Sequence, residues 1–217
     1  DRIFQRSDGK KLVFYPVPKN ANSSFKRLFV ELLSIEKDYL FLDDEIPMYK
    51  KDKYKLDPNK NYWLWSFLPT KPKFTMMPSS LDVIKIAVVR DPIERFLSAY
   101  NNRVNWHKDI NFNNLSMKDV VERLKKKNFD NQHFLPQTFF LGNDPNYFNY
   151  LTKMPSIHGL VDYINQFFGK NFKIKKLQTN HGENPISMEE VSKFSNELRH
   201  IYKKDYEFIN SIKGNLL

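Results

Sequence analysis

The 217-residue chain contains no cysteine. Disulfides, thiolate metal sites and cysteine nucleophiles are therefore excluded by composition alone. Glycine is scarce, with six in all, and neither a flexible Gly/Ser linker nor the glycine-rich phosphate loop G-x-x-x-x-G-K-[ST] is present. No apolar run approaches the roughly 18–20 residues that span a bilayer; the strongest near the middle is Ile86-Ala87-Val88-Val89. The opening stretch Asp1 to Lys10 is polar and unlike a signal peptide. No histidine precedes His107. Together these absences predict a protein of a reducing compartment, the cytoplasm rather than a secretory lumen such as the Golgi.

What is present suits one large domain. Hydrophobic residues make up 41% and aromatics 15%, with 19 Phe and 11 Tyr, enough for a substantial core and against global disorder. Against 25 Asp and Glu stand 35 Lys and Arg, a net charge of +10. Such a surface favours anionic partners: nucleotides, polyanionic glycans, nucleic acid or anionic lipid. A lysine-rich solvated face accounts for the same excess without any partner.

Along the chain, Lys11-Leu12-Val13-Phe14-Tyr15-Pro16 reads as an apolar, β-favouring run, a buried strand. After a loop from Pro18 to Ser24, Phe25, Leu28, Phe29, Leu32 and Leu33 recur at helical spacing. The aromatic cluster at 62–67 suggests a second strand. Residues 82–89 are a buried strand ending at Arg90, and Asp91-Pro92 opens a helix whose apolar face is Ile93, Phe96, Leu97, Tyr100 and Val104. Ser116 caps a helix over 120–127, residues 128–155 read as loop, and 172–177 as a short strand. Ser187-Met188-Glu189-Glu190 is a capping box that opens one long helix through about Ile212. Strand–helix units with apolar strands predict an α/β domain: a parallel sheet flanked by helices.

Two segments carry chemistry. In Pro18-Lys19-Asn20-Ala21-Asn22-Ser23-Ser24 a lysine sits in a polar loop between strand and helix. The helix N-terminus offers unpaired N–H groups and the positive end of the macrodipole, Ser23 and Ser24 add hydroxyls, and Lys19 adds a mobile charge. An N-cap serine beside an exposed lysine would look the same. Asn22-Ser23-Ser24 is also a glycosylation sequon, and a glycan there would block the loop.

The second segment begins at Arg90, where the buried strand leaves the sheet at the edge at which α/β folds bind ligands. Ser98 falls opposite the apolar stripe of the next helix, with Glu94 and Arg95 sharing its face. Arg90 and Ser98 can converge on one phosphate, although Arg90 can equally pair with Asp91 or Glu94.

At this point the chain resembles a known family. Pro18-Lys19-x-x-x-Ser23-Ser24 after a strand is similar to the 5′-phosphosulfate loop of the sulfotransferases that use 3′-phosphoadenosine 5′-phosphosulfate (PAPS). Arg90-Asp91-Pro92-x-x-Arg95-Phe96-x-Ser98-x-Tyr100 is similar to their 3′-phosphate motif. His133-Phe134-x-Pro136-Gln137 and Tyr202-x-x-Asp205-Tyr206-Glu207-Phe208 resemble segments of the carbohydrate (family 2-like) branch.

The resemblance implies a single sulfotransferase-like domain over 1–217 with a P-loop-like sheet. It implies in-line transfer of a sulfuryl group from PAPS to a hydroxyl, that of a glycan, giving PAP without a metal. Lys19 would stabilise the leaving phosphate, Asn20, Ala21, Asn22, Ser23 and Ser24 would hold the 5′-phosphate, and Arg90 and Ser98 the 3′-phosphate. Residues 175–182 would close over the nucleotide.

The general base is not given by the resemblance. Several relatives place a histidine between the two phosphate motifs, where this chain has Trp63, Trp65 and Ser66. His133 is the leading candidate because it lies in the acceptor-side segment; His107, Glu31 and Glu45 follow, and a histidine bonded to a loop carbonyl is the structural alternative. Trp63, Trp65 and Trp106 can stack on sugars or belong to the core. Two other readings remain open. An ATP-dependent phosphotransferase lacks its usual phosphate loop and an acidic metal pair. A non-catalytic polyanion-binding module fits the basic charge, but no nucleic-acid motif appears and no nucleic-acid partner is expected.

Overall fold

Alternation organises the sheet. In β2 (Lys11–Tyr15) Leu12 and Phe14 face one side, while Val13 and Tyr15 face the other; in β3 (Val83–Val89) Ile86 and Val88 share the first side, and Ala87 and Val89 the second. Both sides are covered, so both strands are nearly continuous in apolar residues. The computed structural model describes residues 2–5, 9–32, 76, 83–112, 115–174 and 185–212. Among these, β1 (Arg2–Gln5) pairs antiparallel with β2, and β2, β3 and β4 (Tyr150–Lys153) are mutually parallel, in spatial order β1-β2-β3-β4.

Helices α1 (Asn22–Leu32) and α5 (His158–Phe168) cover the first side, where Phe25, Leu28, Leu160 and Ile164 pack on Phe14 and Ile86. Phe14 stacks on Phe25 with centroids 5.3 Å apart. On the second side lie Phe140 and Leu141 of α4 (Thr138–Leu141), then Phe148, and Phe208 of α8 (Lys203–Asn210). A third cluster joins α2 (Pro92–Tyr100), α3 (Met117–Lys125), α6 (Met188–Ser192) and α7 (Ser195–Ile201). The predicted architecture, an α/β domain with parallel strands between helices, is the observed one. No described helix is long and apolar enough to cross a membrane.

Several boundaries differ from expectation, each for a physical reason. The C-terminal helix is three pieces, broken near Phe194 and at Tyr202, whose backbones leave the helical region. A straight helix could not bury Val191, Leu198 and Tyr202 in the helical cluster and also Phe208 against the sheet. The expected strand at 172–177 is absent over its described part. Phe172 instead gives its N–H to Asn165 Oδ1 (3.0 Å) and its carbonyl to Asn165 Nδ2 (2.8 Å), leaving nothing for a ladder. The segment 128–155, read as loop, contains α4 and β4. Both expected caps are present: Ser116 with Asp119, and Ser187 with Glu190. The apolar face of α2 continues to Val104, but through a π-helical turn over Asn101–Trp106. The aromatic cluster at 62–67 and the segment at 175–182 lie outside the described residues.

Candidate functional site

Parallel pairing brings the C-terminal ends of β2 and β3 side by side, so the loop after Tyr15 and the turn at Arg90 meet. The loop has no glycine, yet Lys19 (φ 70°) and Ala21 (φ 54°) both adopt the left-handed conformation that glycine usually supplies. Such strain persists only where surrounding bonds hold it, and here they are numerous. The Asn20 backbone N–H donates to Val17 O (3.2 Å), and its buried side chain donates to Val88 O (2.8 Å) and Gln137 Oε1 (2.7 Å). Arg90 Nη1 donates to Lys19 O (3.3 Å), and Arg95 Nε to Pro18 O (2.9 Å). The loop therefore closes onto the N-terminus of α1, which begins at Asn22.

Arg90 is partly exposed and reaches Glu94 Oε2 at 3.4 Å, the pairing that the sequence left open; Asp91 is instead the N-cap of α2, accepting from Ile93 N and Glu94 N. Ser98 lies partly buried farther along α2. Arg95 corrects the expectation that it shares an outer face with Glu94 and Ser98. It is buried at 1% exposure, and its second bond runs from Nη1 to Leu135 O (2.7 Å). The fork of its guanidinium satisfies two loop carbonyls at once, which an outward orientation could not do.

Gln137 and Asp205 were legible only as parts of resembling segments, and their work emerges from the structure. Gln137 Oε1 accepts from Asn20 and from Arg90 N (3.0 Å), while its Nε2 donates to Arg90 O (2.8 Å). The Asp205 carboxylate accepts from Gln137 N (2.7 Å), Thr138 N (2.9 Å) and Thr138 Oγ1 (3.0 Å). Tyr202 donates to Phe134 O at 2.9 Å. All four segments singled out in the sequence are thus joined by hydrogen bonds.

The electrostatics are one-sided. Burial, then the charges of Arg103, Arg90 and Arg95, pull Lys19 down to about 7. Burial, Arg103 and Lys19 also lower His107. His133 is held well below the usual histidine value, by burial first and then by Arg103, Lys19, Arg95 and His107. Arg103, which no sequence pattern indicated, projects from the π-helical turn to His133, with Nη2 2.9 Å from Nε2. His133 Nδ1 lies 2.6 Å from Asn131 Oδ1, and Asn131 Nδ2 donates to Asp109 Oδ2 (2.6 Å). Glu31 and Glu45 carry no described side chain; Trp106 is 46% exposed.

The donor set suits a polyanion. Four cations converge on the loop beside a helix N-terminus, and among the described residues the buried Arg103 Nε and Arg95 Nη2 have no hydrogen-bond partner. The Oδ1 atoms of Asn20 and Asn22 are also unpaired, but acceptors do not serve an anion. No curated protein and no solved structure gives a significant match to the chain. A family model, described as the sulfotransferase family, matches residues 2–210 and so contains the loop, the Arg90 segment, the His133 segment and the C-terminal helices. The chain belongs to the sulfotransferase family.

Proposed function

We propose that the protein transfers a sulfuryl group from PAPS to the hydroxyl of an acceptor, a glycan by the resemblance of its acceptor-side segments, and releases PAP. The observation that carries this reading is the junction of Lys19 with Arg90: one lysine charge at the mouth of a strained loop, and one arginine tied to that loop's carbonyl. A donor bearing a 5′-phosphosulfate and a 3′-phosphate needs two anion sites a few ångströms apart on one sheet edge. When bound, it supplies an activated sulfur and a phosphate leaving group.

The chain's own residues then bind and orient. The first-turn amides of α1, with Ser23 and Ser24, hold the 5′-phosphate; Asn20 anchors the loop from inside; Ala21 and Asn22 set its curve. Arg90, with Ser98, holds the 3′-phosphate. Lys19 meets the negative charge that develops on the leaving oxygen, and His133 takes the acceptor's proton at Nε2. No metal is needed for these roles. A cysteine-free chain of this kind is suited to the cytoplasm.

Calorimetric titration with 3′,5′-ADP, 5′-AMP and ATP, without metal, tests the donor site. Tight binding selective for the 3′-phosphate is expected. Weak, salt-sensitive binding of all three alike would overturn the reading in favour of a general polyanion surface.

A further inference from the structure

Arginine donates and never accepts, so at the 2.9 Å contact between Arg103 Nη2 and His133 Nε2 the imidazole nitrogen must present its lone pair. The other ring nitrogen then carries the proton, which it gives to Asn131 Oδ1 at 2.6 Å. That amide is oriented in turn, because its Oδ1 also accepts from His133 N (2.9 Å) and its Nδ2 donates to Asp109 Oδ2. The chain Asp109–Asn131–His133 therefore fixes the tautomer and aims Nε2 at Arg103. A base whose lone pair is covered by a cation is silenced.

Among the described residues the other charged neighbours acting on His133 are basic: Lys19, Arg95 and His107. Asp109 is the one carboxylate among the described residues acting on Arg103, and its Oδ2 is engaged by Asn131. The buried Arg103 Nε has no hydrogen-bond partner among the described residues. Arg103 Nη2 thus donates to a neutral imidazole, and part of the guanidinium's donor capacity stays unused among the described residues. An oxyanion arriving beside Lys19 would offer far more, since charge-assisted bonds are about twice as strong as neutral ones.

We propose that Arg103 is a donor-triggered gate on His133: it covers Nε2 while the donor site holds no sulfuryl group, and turns to the sulfonate oxygens when one arrives, uncovering the base. This rests on the sulfuryl-transfer reading above. In the step that follows, the acceptor hydroxyl oxygen bonds to sulfur and the bond from sulfur to the bridging oxygen breaks. That electron pair stays on the phosphate oxygen beside Lys19, the hydroxyl proton passes to His133 Nε2, and Arg103 holds the sulfonate oxygens throughout. Proton removal is thereby tied to the presence of the sulfur that the alkoxide will attack.

The imidazole ¹⁵N signals of His133, assigned by their loss in His133→Gln, report the gate directly. In the free protein Nε2 should carry the signature of a hydrogen-bonded acceptor. PAPS should shift it to that of an uncovered nitrogen, and 3′,5′-ADP, which lacks the sulfuryl group, should not. Arg103→Met should uncover Nε2 without any nucleotide, lower kcat by about 100-fold or more, and leave the Kd for 3′,5′-ADP within about threefold of wild type. Should Arg103→Met fold poorly, the comparison of PAPS with 3′,5′-ADP in the wild-type protein decides alone. A His133 signal that is the same with PAPS as with 3′,5′-ADP overturns the gate even if nucleotide binding is selective. Failure to bind 3′,5′-ADP at all would instead remove the donor reading, and the gate with it.

Discussion

Lys19 has a left-handed backbone and a largely buried amine among arginines. Its value near 7 leaves it mostly neutral above that pH in the free protein. A bound phosphosulfate restores the ordinary preference for charge, so binding between about pH 7 and the usual lysine range near 10 takes up a proton, and affinity falls as pH rises through that window. Calorimetry in buffers of different ionisation enthalpy should show that uptake at pH 8, and Lys19→Ala should abolish it. The same variant should retain the fold by circular dichroism and lose transfer by a factor of about 100 or more. Arg90→Ala should weaken 3′,5′-ADP by about tenfold to a hundredfold, the worth of a charge-assisted bond, while 5′-AMP changes little. Both positions were legible as candidates, because a lysine in the loop that follows an apolar strand and an arginine at a strand's end are local patterns. Arg103 was not: it lies in a π-helical turn, and nothing in Asn101-Asn102-Arg103-Val104 announces that turn or where it points.

At the scale of elements, legibility followed burial and length. β2 and β3 announced themselves because both of their faces are covered. β4 has only four residues, with Thr152 turned aside to bond Ser156 O and Lys153 exposed, so its apolar signal is one leucine and one tyrosine. The capping boxes were legible because their bonds span three residues of one segment. For the same reason their worth can be read locally: Ser116→Ala should destabilise the protein by about 1 kcal/mol in chemical denaturation, with no effect on nucleotide binding. The breaks at Phe194 and Tyr202 were not legible, since the reason for them lies in two separate cores that compete for one amphipathic sequence.

Across the whole molecule one polar chain, Asn20–Gln137–Asp205, joins residues 117 and 68 positions apart in sequence. Asp205 is 1% exposed, and its charge is balanced by the buried Arg95, which braces the same loop. Asp205→Asn removes that charge and at least one of the three hydrogen bonds the carboxylate accepts, so it should destabilise by about 3 kcal/mol, near 10 °C in Tm for a chain of this size. It should also weaken nucleotide binding without touching any nucleotide contact. The same chain has a consequence for synthesis. The ribosome makes Lys19 and Arg90 early, yet the clamp that holds their loop in its strained form needs a carboxylate at position 205. A nascent chain therefore carries Lys19 and Arg90 through the synthesis of the residues up to 204 before Asp205 can complete that clamp. The clamp closes only when α8 docks.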